Sequence, residues 1–204
     1  MSESECDVID LLVGIEKGSH LDAIRARRPE ARENAQKSFL ALLAPKSPSE
    51  MTGEERYALA VFVAGLHREA ATLAFYRAGL AKQNGRPDLG AAVDAQIARG
   101  AAEGPYGHYP EGPMSVEDRA GPLHRVSEAD RAVLGARLST ALEHAHLLVF
   151  RPRDASPAAL QALLDAGWST TGIVTLSQLV AFLSFQIRVI VGLRALAAAP
   201  SSSV

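Results

Sequence analysis

The sequence predicts an all-α protein, and three observations carry that prediction. Apolar residues recur at helical spacing over most of the 204 residues, no stretch alternates apolar and polar positions between turn signals, and aromatic residues make up only 5% of the chain. The ends of the helices are marked by capping residues, glycines and prolines.

Val8, Ile9, Leu11, Leu12 and Ile15 form a short amphipathic set that Gly18 closes. Ser19 caps a second helix carrying Leu21 and Ile24, and Pro29 opens a third with Ala35, Phe39, Leu42 and Leu43 on one face. Together these make an N-terminal helical extension, residues 1–49, which the Pro- and Ser-rich stretch 45–50 joins to the next helix. Thr52 to Glu55 reads as a capping box: the Thr52 hydroxyl accepts the Glu55 amide, and the Glu55 carboxylate reaches back to the Thr52 amide. Behind it Leu59, Phe62, Val63, Leu66, Leu73 and Leu80 continue to Asn84-Gly85, with a break expected at residues 64–67. Gly65 motivates that break, since glycine inside a helix costs about 1 kcal/mol against alanine. A further helix from Asp88 to Arg99, closed by Gly100, completes a first half, residues 50–102.

Residues 103–126 are of another kind. Glu103 to Pro113 holds three glycines and three prolines in eleven residues, which excludes regular structure. The three rings Tyr106, His108 and Tyr109 fit an ordered lid, and the glycines fit a flexible connector. The second half, residues 127–197, opens with a helix capped by Ser127 and running to about Phe150, where Pro152 stops it. Ser156-Pro157 starts a short helix to Asp165 that Gly167 ends. Ser169 or Thr170 then caps a long last helix through Ile173, Leu176, Leu179, Val180, Leu183, Ile187 and Val191, and the tail 198–204 is expected to fray.

Charge and cysteine content exclude several functions. Twenty-one Lys and Arg against 23 Asp and Glu give a net charge of -2, which provides no electrostatic footprint for nucleic acid or an anionic membrane. Cys6 is the single cysteine, so neither an intramolecular disulfide nor Cys-x-x-Cys chemistry is open to one chain. The apolar run from Ile173 to Leu196 carries Gln178, Gln186, Arg188 and Arg194, and is expected to be a core helix rather than a membrane span. The acidic N-terminus lacks the basic start of a targeting segment, which makes the cytoplasm the expected location. No Gly-rich nucleotide loop, nucleophile elbow or His-Glu-x-x-His motif occurs, and no cofactor is expected.

Two segments resemble the alkylhydroperoxidase D-like superfamily, which includes the carboxymuconolactone decarboxylases. Ala166 to Arg188 is similar to its late helix-Gly-helix, in which a Gly-hydrophobic-Ser turn leads into an apolar helix, and Glu55 to Leu80 is similar to its core. The resemblance covers residues 50–197, roughly, and implies an alkylhydroperoxidase D-like helical bundle that assembles as a homo-oligomer. Peroxidase members carry a glutamate, then Cys-x-x-Cys twelve residues on, then a histidine. Laid on this sequence, the pattern puts Glu55 at the glutamate, His67 and Ala70 at the two cysteines, and Ala74 at the histidine. Both sulfurs are absent, so the resemblance implies a non-redox protein that binds a small organic molecule. In the decarboxylase branch Leu66 to Glu69 finds its counterpart, but the histidine position falls at Ala74 or Phe75. Two other readings stand beside this one: a catalytically inactive structural or regulatory partner protein, and a weak peroxidase using Cys6 through an intermolecular disulfide.

The candidate residues are Glu55 and His67 for acid/base chemistry and Tyr76 and Arg188 for ligand binding. On a straight helix Glu55 and His67 lie about 120° apart, so they converge only if the helix breaks near Gly65. Tyr76 can share that cavity or sit in the core. Arg188 lies within an apolar helix, where a buried position requires a carboxylate partner or an interface; holding an anionic ligand is the other reading. Glu143-His144-Ala145-His146 offers no metal site, because the two histidines lie about 200° apart on a helix; a Glu143–His146 pair is the expected use.

Overall fold

The computed structural model describes residues 6–47, 50–83 and 86–199. Among them are ten α-helices, two short 3-10 helices and no strand, only an isolated bridge between Gly107 and Arg119. The α-helices are α1 (Val8–Val13), α2 (His20–Ala26), α3 (Pro29–Leu43), α4 (Gly53–Leu66), α5 (Ala70–Ala81), α6 (Leu89–Gly100), α7 (Glu128–Leu134), α8 (Ala136–Phe150), α9 (Pro157–Asp165) and α10 (Thr170–Ala198).

Two helices organise the rest. Ten of the 14 residues of α4 are buried, as its stretch from Ala58 to Leu66, apolar on all sides, requires, and α4 touches α3, α5, α6, α8 and α10. The 29-residue α10 packs on α1, α3, α4, α8 and α9. By length and composition α10 is also apolar enough to cross a membrane, with a mean hydropathy of 1.8 in its best 18-residue window. Phe62 and Leu59 from α4, Leu142 from α8 and Leu179 and Leu183 from α10 belong to one continuous core, so both halves of the chain share it. The N-terminal extension adds a small satellite of Val8, Ile9 and Ala35 against Ile190 of α10. It is clasped by charge: Arg25 bonds Asp7 at 2.7 Å and also Asp10, while Arg32 bonds Asp22 at 2.8 Å and also Asp10.

Several boundaries differ from the expectation, each for a visible reason. Helix α1 ends at Gly14 (φ +82°) rather than Gly18. The helix ending in Leu66 breaks as expected, but at Arg68 (φ +57°) and not at Gly65. Gly65 stays helical and buried, and a Cβ there would lie 2.5 Å from Ile97 Cδ1, so the glycine lets α6 approach α4. The single helix expected from Ser127 to Phe150 is two, α7 and α8, split at Gly135, whose φ of +79° ends one and starts the other. Asn84 and Gly85, and the tail from residue 200 onward, lie outside the described residues.

Candidate functional site

Thr140, Glu143, His144 and Leu147 recur at helical spacing and form one stripe along α8, with Arg151 following just past its end. Pro152 ends α8 and a 3-10 turn, Pro152–Asp154, reverses the chain. Ser156 then caps α9, its hydroxyl accepting the Ala159 amide at 3.3 Å. Because α9 presents only Ala158, Ala159 and Ala162 to the stripe, a cleft of about 270 Å³ remains between the two helices. The last residues of the Gly/Pro-rich segment, 123–125, close its side. That segment is an ordered wall. The Tyr106 amide donates to Phe150 O at 2.7 Å, the His108 amide to Asp154 at 3.0 Å, and Arg153 lies over the Tyr109 ring at 3.9 Å.

Three histidines are buried here. His144 is 5% exposed, and among the described residues neither ring nitrogen has a hydrogen-bond partner. His124 is equally enclosed, and its Nε2 has no partner. His146 donates from Nε2 to Gly100 O at 3.0 Å, since a carbonyl only accepts, which leaves its Nδ1 unpaired. The His124 and His146 rings stack at 5.1 Å, between Phe62 and Phe150. Burial holds all three imidazoles below the ordinary histidine value, His146 at about 4, where the His124 ring adds to the effect. For His124, Glu143 opposes burial while Arg99 and Arg125 reinforce it. All three are neutral at pH 7, and a neutral imidazole offers one donor and one acceptor.

The carboxylates of the cleft are already committed. Glu143 accepts from the Val126 amide at 3.0 Å, Arg125 at 3.0 Å and Arg131 at 2.8 Å. It is therefore not the partner of His146 that the sequence spacing suggested, because the His146 ring turns toward Gly100. Asp154 accepts from the amide and ring of His108 and from Arg151. The buried Nε–H of Arg151, by contrast, has no partner among the described residues.

The residues singled out from sequence lie elsewhere. Glu55 completes the capping box, taking the Thr52 amide at 2.8 Å, and pairs with Arg137 Nε at 2.6 Å. Twelve residues of helix place His67 about 18 Å further along, so the two do not meet. His67 caps the C-terminus of α4, with Nε2 3.2 Å from Ser184 Oγ. Burial, with Arg188 adding to it, holds its imidazole at about 4. Tyr76 lies wholly in the core and donates its hydroxyl to Gln186. Arg188 is exposed rather than buried: it falls on the outward stripe of α10 and donates to Ser184 O at 3.2 Å. His67 and Arg188 are thus neighbours, while Glu55 and Tyr76 stand apart from them. Among the described residues no three His, Cys, Asp or Glu side chains are grouped to hold a metal ion. Cys6 is exposed.

What sequence reasoning missed is His144. The available signal was its place at i+4 from Thr140 and i−3 from Leu147, on the inward stripe of a helix. Comparison of the chain with protein-family models, curated proteins and solved structures gives no match.

Proposed function

We propose that this protein binds a small organic molecule in the α8–α9 cleft, with His144 as the group that holds it and exchanges protons with it. One observation carries the reading: a histidine 5% exposed, lining a cleft, with both nitrogens unpartnered among the described residues. A buried polar group left without a hydrogen bond costs about 1–3 kcal/mol, and a ligand that supplies the partner recovers it. Held neutral by burial, His144 can donate from one nitrogen while accepting at the other, which suits non-redox acid/base chemistry.

Kinship with the alkylhydroperoxidase D-like and carboxymuconolactone decarboxylase-like proteins belongs to the same proposal and rests on the two sequence segments alone. Within that kinship the missing thiol pair favours a non-redox member. The test is a fragment screen by NMR on the full chain against His144→Leu. Fragments that shift the ring signals of His144 in the parent and nothing in the folded variant support the reading. A screen in which no fragment moves those signals rejects it.

A second reading, a homo-oligomeric structural protein, is favoured by the surface of α10. Thr171, Val174, Gln178, Ala181, Phe185 and Arg188 are exposed at alternating spacings of three and four, a seam suited to another helix. Sedimentation of the parent and Phe185→Glu tests it: assembly lost in the variant supports it, and a monomeric parent rejects it.

A further inference from the structure

Resting on the reading of the α8–α9 cleft as a binding site, we infer that its ligand is an organic monocarboxylate, its oxyanion seated where the first turn of α9 meets Arg151 and His144. The cleft has hydrogen-bond donors to spare, and its strong acceptors are occupied. The Arg151 Nε–H can only donate, and it is buried without a partner among the described residues. His144, and His124 through Nε2, belong to the lining of the same cleft and have ring nitrogens without a partner among the described residues. The oxygens of Glu143 and Asp154 are taken by arginines, amides and the His108 ring. A ligand that brings acceptors meets the donors of this inventory and leaves one His144 nitrogen as an acceptor, whereas one that brings mainly donors competes for carboxylate oxygens already bound.

The helix end points the same way. α9 has nine residues, and its first turn lines the cleft through Ala158 and Ala159. A helix N-terminus carries about half a positive charge that favours an anion, although here Pro157 has no amide proton and Ser156 already takes the Ala159 amide. The buried, unpartnered His144 is the independent sign that this end faces a ligand.

Charge and shape narrow the class. Arg125 and Arg151 are matched by Glu143 and Asp154, so the side chains contribute no net charge and the helix end suits one negative charge better than two. The remaining wall is Leu123, Leu147 and the alanines of α9, which suit an apolar body. At about 30 Å³ per water, 270 Å³ corresponds to roughly nine water volumes, the scale of a small aromatic or branched aliphatic acid.

The test is isothermal titration of the full chain with benzoate, its neutral isostere benzamide, and inorganic phosphate, alongside NMR of the histidine rings. Benzoate is expected to bind about tenfold tighter than benzamide and to shift the ring signals of His144 and His124. Arg151→Lys keeps the charge beside Asp154 but lacks the planar Nε–H, and is expected to remove that preference. His144→Gln, a second variant away from the Arg151 pair, is expected to weaken benzoate as well. Benzamide binding as tightly as benzoate, or phosphate binding tighter, overturns the inference and leaves the binding site standing. Failure of all three probes to move the His144 signals overturns both.

Discussion

Helix α8 carries two polar assemblies less than three turns apart, one half-buried and one buried, and they are built on opposite terms. At its first turn Arg137 donates from all three guanidinium nitrogens: it bonds Glu55 at 2.6 Å, Gly167 O at 2.7 Å and Glu50 O at 2.8 Å, and its guanidinium lies 3.9 Å from the Trp168 ring centre. The Trp168 Nε1–H returns a bond to Arg137 O at 3.0 Å. Further along, His144 and His124 have buried nitrogens with no partner among the described residues. The first arrangement ties α4, α8 and the start of α10 together; the second leaves hydrogen-bonding capacity unused in a cleft. The difference shows that a titratable residue in a recognisable pattern is not thereby a site. Glu55 fits a catalytic pattern and is fully occupied with structure, whereas His144 fits none and is free.

The comparison is broken most forcefully at Arg137. Arg137→Ala removes a half-buried ion pair, two carbonyl bonds and the stack on Trp168, and is expected to cost about 3 kcal/mol in urea unfolding. Fragment binding in the α8–α9 cleft should persist wherever the variant is folded. Loss of binding in a folded variant would mean that the two assemblies are coupled.

A lowering of pH comes next. In the unfolded chain a histidine takes its proton near 6.5, but in the fold His146 resists until about 4. Between those values the unfolded state binds more protons, so stability is full above pH 6.5 and falls as pH drops toward 4. His146 alone is expected to remove about 2 kcal/mol by pH 5. His67, also held at about 4, adds to the fall. His146→Gln, which still donates to Gly100 O, should flatten the profile in urea melts at pH 5 to 7. An unchanged slope would contradict the burial of a neutral ring.

Smaller still is Glu55→Gln. The amide can keep the capping geometry but not the charge opposite Arg137, and a loss of about 1 kcal/mol is expected. Binding of fragments should be unaffected, and any conversion abolished by this change would return Glu55 to a chemical role.

Much of the fold was legible, because caps are local. Ser19, Thr52, Ser127, Ser156 and Ser169 each stand at a helix start as read from sequence, and Arg68 breaks the chain within two residues of the expected place. Two glycines show what was not legible. Gly65 and Gly135 sit in similar apolar patterns, yet one stays helical with Ile97 packed where a Cβ would be, and the other turns the chain at positive φ with nothing within 4 Å of a Cβ. Only the tertiary neighbour separates the cases. Arg188 is exposed for a like reason, since an apolar helix with an outward seam still has a solvent side. For the site, the periodicity placed His144 on an inward stripe, but not that its facing helix would present alanines and leave both nitrogens unmet.

The most direct measurement is the stability of His144→Leu at pH 7 by urea unfolding. If His144 is held for a ligand and not for the fold, replacing its unmet nitrogens with an apolar side chain leaves stability unchanged or raises it by about 1 kcal/mol. A loss of about 2 kcal/mol or more would contradict the account and make His144 a structural residue.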